Sequence, residues 1–190
     1  MTISNLWATP VLETMTDLDG KKILSEIESN PDWKTDWAQM KLSGELLKLH
    51  KAFEDSAYAV LNETNLAGER LFCPGIGMEK HVFGNSMELH YHGYSVVVCV
   101  FYPEANEDGG DLVLVDPRGS HFLHELAFSK ASVSIKPCTG KMVAFPGHIM
   151  HEVKSNFTNN PRYSIATVWY LGKQEDYIRY ALQQQGDAYK

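Results

Sequence analysis

From Lys80 to Tyr170 the chain is written in short β-branched and aromatic runs, nearly all broken by Gly, Pro, Asn or Asp. Runs this short end before a helix completes three turns, but they suit strands joined by tight turns. Strands are predicted over 79–83, 86–92, 94–102, 112–116, 132–136, 141–145, 150–154 and 162–170. Eight strands at this spacing make the chain mainly β: an antiparallel barrel, or a double-stranded β-helix (a jelly roll) in which two sheets face each other.

Before residue 70 the period changes. Leu18, Ile23, Leu24 and Ile27, with Asp17 as a cap and Pro31 beyond, predict a helix over 17–29. Leu46, Leu49, His50, Phe53, Ala57, Val60 and Leu61 recur at helical spacing and predict an amphipathic helix over 44–62 that packs on a sheet. A short C-terminal helix over 175–184 has Tyr177, Ile178 and Leu182 on one face. No repeat or linker interrupts the 190 residues, so one domain is expected. It divides into a helical region (1–70), a jelly-roll core (71–172) and a C-terminal helix (173–190).

Charge narrows the function. Seventeen basic against 24 acidic residues give a net charge of −7, the opposite of the footprint that phosphate-backbone binding needs. Nucleic acid is therefore excluded as the main partner. The longest apolar run, Val96 to Tyr102, falls far short of the ~20 residues of a membrane span. Asn5, Thr9 and Pro10 occupy the opening where a signal peptide would be apolar, so the expected location is cytoplasmic. Cys73, Cys99 and Cys138 form no C-x-x-C pair and are expected to be reduced and mostly buried. The sequons at Asn62 and Asn156 are then chance matches.

Four of the eight histidines fall in two places, His90 with His92 and His148 with His151. Residues two apart on a strand share a face, so His90 and His92 can present both imidazoles to one point. Such a pair suits Fe, Zn, Cu or Ni, although H-x-H alone equally describes a solvated strand face. The second place supplies a third donor: from Gly140 the chain runs through a turn, an apolar strand and the Pro146-Gly147 corner to His151. If the segments around 151–154 and 162–170 form a hairpin, Lys154 faces Arg162, and the arginine lies ~10 Å along from His151. That span suits a small dicarboxylate chelating a metal at one end. Arg162 and Ser164 share a face, and a guanidinium beside a hydroxyl matches a carboxylate, although an arginine opening a strand can equally be a surface residue. His148 is expected beside the site or exposed. His121 and His124 lie in a polar loop, solvated or part of a lid. Tyr102 and Tyr91 either bind a ligand through their phenols or fill the core, and Trp7, Trp33, Trp37 and Trp169 are packing residues.

In their order, and in the eleven-residue step from His151 to Arg162, these residues resemble the Fe(II) and 2-oxoglutarate dependent oxygenases. That signature is H-x-D, a distal His, then Arg-x-Ser. Leu6 to Pro10, Gly109 to Leu112, Asp116 to Arg118, Pro137 to Gly140, Phe145-Pro146 and Arg162 to Ala166 look like segments of the small oxygenases of this superfamily. The resemblance covers residues 86–170 well and the rest loosely. It implies Fe(II) held by His90, His92 and His151, and 2-oxoglutarate held by Arg162 and Ser164, with Tyr102 assisting. The implied reaction couples decarboxylation of 2-oxoglutarate with O2 to oxidation of a substrate C–H bond, as a hydroxylase does. The departure is His92, which stands where the superfamily has a carboxylate; Glu88, Asp111 or Asp116 is the alternative third ligand. An imidazole there also argues against halogenation, which needs that position vacated for halide. The chain also resembles the cupins through Gly84, His90-x-His92, Gly140, Pro146 and His151. That likeness implies a three-histidine metalloenzyme working without 2-oxoglutarate, and a jelly roll that only binds is a further reading. The prime substrate, a small molecule or a protein side chain, and a homo-oligomeric state stay open.

Overall fold

A computed structural model describes residues 8–29, 42, 44–117 and 132–173. Along the chain these form β1 (Leu12–Met15), α1 (Gly20–Glu28), α2 (Gly44–Asn62), β2 (Leu71–Phe72), β3 (Ile76–His81), β4 (Met87–His90), β5 (Val97–Glu104), β6 (Leu112–Val115), β7 (Ser132–Ile135), β8 (Lys141–Pro146), β9 (His151–Val153) and β10 (Arg162–Leu171). The larger sheet runs β1-β8-β5-β10-β2, with β3 also on β10, and the smaller runs β4-β9-β6-β7. Every recorded pairing is antiparallel, and the two facing sheets make the expected jelly roll.

Side-chain alternation explains the layers. On β5, Val97, Cys99 and Phe101 point to one face while Val98 and Tyr102 point to the other. The first set joins Met142, Ala144, Ile165 and Trp169 under the helices. The second joins Val143 and Phe145 of β8, Leu112 and Leu114 of β6 and Ile135 of β7, in the space between the sheets. Burial on both faces is why β5 reads as a continuous apolar run. Helix α2 buries Leu46, Leu49, Phe53, Ala57, Val60 and Leu61 at its predicted spacing, each large side chain contributing about 1.5–3 kcal/mol of apolar transfer. A Glu26 carboxylate on α1 accepts from the Leu46 backbone N–H at 3.0 Å, tying the start of α2 to its neighbour.

Several expectations are corrected. There are ten strands among the described residues rather than eight, because β1 and β2, polar or very short, carry no strong pattern. β3 starts at Ile76, and β5 starts at Val97. The cap of α1 is Asp19, not Asp17, its carboxylate accepting from the Lys22 N–H at 3.1 Å. Strands β9 and β10 are not a hairpin: they belong to opposite sheets, so Lys154 does not face Arg162, whose partner is His81. Cys99 is buried, but Cys73 and Cys138 are only partly so, and all three are free thiols. The C-terminal helix, Trp7, Trp33, Trp37, Arg118, His121 and His124 lie outside the described residues. No described helix is long and apolar enough to cross a membrane.

Candidate metal centre

Pairing of β4 with β9 sets His90 directly opposite His151. His92 lies just past the end of β4, where the chain turns back towards β5. Its N–H donates to the Gly147 carbonyl at 3.2 Å, and its own carbonyl accepts from the Ser95 N–H at 2.9 Å and the Ser95 hydroxyl at 2.7 Å. The turn and the corner before His151 are pressed together so closely that a Cβ on Gly147 would sit 2.0 Å from Ser95 Oγ, which is why glycine stands there.

This folding brings the three imidazoles together. Ring centroids are 4.2 Å apart for His90 and His151, 5.1 Å for His90 and His92, and 5.2 Å for His92 and His151. One ring nitrogen from each lies within 4.8 Å of the others, close enough for a metal ion to bridge them. Nδ1 of His90 donates to the Glu88 carbonyl at 2.8 Å and Nδ1 of His151 to that of Ile149 at 2.9 Å. Those bonds leave Nε2 of each ring with its lone pair, the tautomer that ligates. His151 is buried edge-on against Phe145, with centroids 4.9 Å apart. Burial, helped by His90 and His92, holds its pKa at about 4 despite the bond to Ile149, so it is neutral and ready to ligate at neutral pH. His92 is pushed down too, by burial and then by His90.

No carboxylate joins this cluster among the described residues. Glu88 is exposed and offers His90 only its backbone oxygen, across an irregularity in β4. Asp111 and Asp116 are half-buried and outside the cluster. His148 is exposed, in the wall of a cleft of about 690 Å³ beside the N-terminal segment and the end of α2. Tyr91 is exposed, while Tyr102 is buried between the sheets.

A second polar group lies in the barrel. Arg162, the first residue of β10, is 1% exposed. Its Nη1 donates to the carbonyls of Gly110 at 2.7 Å and Gly109 at 3.3 Å, and its Nη2 to Nδ1 of His81 at 2.7 Å. Gly110 is required there: its φ is +95°, and a Cβ would fall 2.1 Å from the Lys154 carbonyl oxygen. The buried Nε–H has no partner, and no described carboxylate pairs with the guanidinium. Burial lowers the pKa of Arg162 and raises that of Tyr102 to about 12, the latter opposed by the arginine's charge. Ser164 is half-buried opposite Glu79. Gly110 precedes Leu114, the partner of His151 on β6, by four residues, so the two levels are about 13 Å apart along the sheet. Inward-reaching side chains and a five-carbon diacid can fill that distance.

The three imidazoles and the buried guanidinium thus fit a divalent metal with a carboxylate co-substrate. His81, which touches Arg162, was not among the sequence candidates. Its only signal is a place on a strand with Glu79, which gives no hint of pairing with Arg162. Ser95 and Gly147, which shape the turn of His92, were likewise not singled out for that role.

Residues 79–167 match the family described as "Putative 2OG-Fe(II) oxygenase". No curated protein matches the sequence. Among solved structures, a Pseudomonas putida prolyl-4-hydroxylase aligns over 88% of this chain and 90% of its own, with TM-score 0.61 and 16% identity. HygX from Streptomyces hygroscopicus, solved with nickel and 2-oxoglutarate, aligns over 85% and 82%, with TM-score 0.58 and 14% identity. The α-ketoglutarate dependent epimerase SnoN of nogalamycin biosynthesis aligns over 85% and 77%, with TM-score 0.58 and 14% identity. At these identities the structures establish a shared jelly-roll fold, and the family match spans His90, His92, His151 and Arg162. The barrel segment of this chain, residues 79–167, is thus similar to the 2OG-Fe(II) oxygenases.

Proposed function

We propose that the chain is an Fe(II)- and 2-oxoglutarate-dependent hydroxylase. His90, His92 and His151 hold the metal, and Arg162, with Ser164 and Tyr102, receives the distal carboxylate of 2-oxoglutarate. The observation that carries this reading is Arg162: a buried cation with an unpartnered Nε–H and no described carboxylate beside it. Leaving such a group unpaired is costly, and a carboxylate ligand supplies both the charge and the acceptor it lacks.

Bound Fe(II), with O2 and 2-oxoglutarate, supplies the oxidising power to break an unactivated C–H bond, while 2-oxoglutarate loses CO2 and becomes succinate. The chain's residues provide the rest. The imidazoles of His90, His92 and His151 would hold the metal and, being only three donors, would leave room for exchangeable ligands. A third imidazole in place of a carboxylate makes the centre one unit more positive, which favours an anionic chelator. Leu114, Val98, Val143 and Phe145 give the space between the sheets apolar walls that exclude water. Prolyl hydroxylase and epimerase share the fold, so the substrate class is not read from it.

The three-histidine set also suits a cupin-type enzyme without 2-oxoglutarate, and one experiment separates the two. Under anaerobic conditions, Fe(II) followed by 2-oxoglutarate should give a weak visible charge-transfer band that needs both components. Arg162→Met should keep the metal but weaken 2-oxoglutarate by about 30- to 5,000-fold, the equivalent of about 2–5 kcal/mol for a stranded buried charge. Absence of the band, or unchanged affinity in Arg162→Met, refutes the proposal.

A further inference from the structure

We propose that His81 positions Arg162 for the co-substrate carboxylate: its Nδ1 accepts from the guanidinium and fixes its plane while adding no negative charge to compete with the incoming anion. This rests on the function proposed above. The geometry comes from register, since His81 and Arg162 are direct partners across β3 and β10 and are 4% and 1% exposed. All three acceptors on the guanidinium, the Gly109 and Gly110 carbonyls and the His81 ring, are uncharged groups. Histidine meets that requirement because burial, reinforced by the charge of Arg162, holds its pKa at about 4. An aspartate here would form a charge-assisted pair with Arg162 and screen it from any ligand.

His81 is itself held from a second direction. The Asn156 side-chain amide donates to the His81 carbonyl at 2.9 Å, the Gly84 N–H donates to the Asn156 carbonyl at 2.7 Å, and the Asn156 N–H donates to the Asn85 carbonyl at 3.0 Å. The end of β3 is thereby locked to the loop that leads into β10. The imidazole then restricts the guanidinium at Nη2 while the Gly109-Gly110 turn restricts it at Nη1, leaving Nε–H as the buried donor without a protein partner.

Three variants test this in the full chain, loaded with Fe(II) under anaerobic conditions and titrated with 2-oxoglutarate. His81→Asn keeps an acceptor near the place of Nδ1 and should bind within about threefold of wild type. His81→Leu removes the acceptor and should bind about tenfold more weakly, the worth of one hydrogen bond to a charged group. His81→Asp keeps the acceptor but adds a charge, and should bind about 100-fold more weakly. Iron affinity should not change in any of them. Affinity for 2-oxobutyrate, which chelates but lacks the distal carboxylate, should not change either. A merely structural histidine would not produce that order, nor spare the second probe. If His81→Leu does not fold, the Asn and Asp variants decide alone, and equal 2-oxoglutarate affinity in those two overturns the inference. A wild-type chain without 2-oxoglutarate binding would instead overturn the underlying function, and the inference with it.

Discussion

Acid should unfold the metal-free protein earlier than its carboxylates would require, because two buried histidines resist protonation. His81 and His151 are each 4% exposed and titrate at about 4 in the folded chain. Once unfolded they return to about 6.5, so between these values the unfolded chain binds more protons and acidification favours it. Stability from these groups is complete above pH 6.5 and is lost as pH falls towards 4. At pH 5.5 the linkage amounts to about 1.4 kcal/mol per histidine, or about 3 kcal/mol for the pair, against about 5–15 kcal/mol for a typical domain. His50 and His92, whose pKa values burial also lowers, push in the same direction. Urea unfolding at pH 7.5, 6.5 and 5.5 in the presence of a chelator measures the slope. His81→Asn should recover about 1.4 kcal/mol of the loss at pH 5.5, because it removes one of the two linked groups. A metal-free protein equally stable at pH 7.5 and 5.5 would show that these rings are not held neutral, and would remove the argument that His151 awaits a metal.

Metal titrations test the donor set: His90→Ala and His151→Ala should each lose most bound Fe(II). His92→Asp, which keeps a donor on the same turn, should retain it better than His92→Ala, while Glu88→Gln should bind as wild type. Near-normal affinity in His92→Ala would break the three-histidine site. At the corner before His151, Gly147→Ala would press a methyl to 2.0 Å from Ser95 Oγ and 2.5 Å from the Ser95 carbonyl oxygen. It should cost about 1–3 kcal/mol in urea unfolding, with weaker iron binding because the turn of His92 is displaced. Wild-type stability and iron affinity would show that the two turns do not brace each other.

The legible parts of this protein are those whose cause is local. Strand β5 could be found because both of its faces are buried, and α2 because Leu46, Leu49, Phe53 and Val60 repeat at helical period. The His90 and His92 pair was legible from its two-residue spacing, yet His92 lies beyond the strand, and Ser95 and Gly147 hold it there rather than the pleat. Arg162 was picked out on a wrong picture of its route. The hairpin assumed for residues 151–170 would have kept His151 and Arg162 in one sheet, whereas the loop between them crosses from the smaller sheet to the larger. Which strand a strand pairs with is decided by distant contacts that alternation does not encode, and the same gap hid His81, whose role exists only through its register with Arg162. The Asn156 sequon shows the converse. Its motif is local and complete, but the side chain is 0% exposed and its amide is spent on the His81 and Asn160 carbonyls, at 2.9 Å and 2.8 Å. In the folded chain that asparagine cannot serve as an acceptor for glycan, because the atom that would be modified already holds the backbone beneath the arginine's partner.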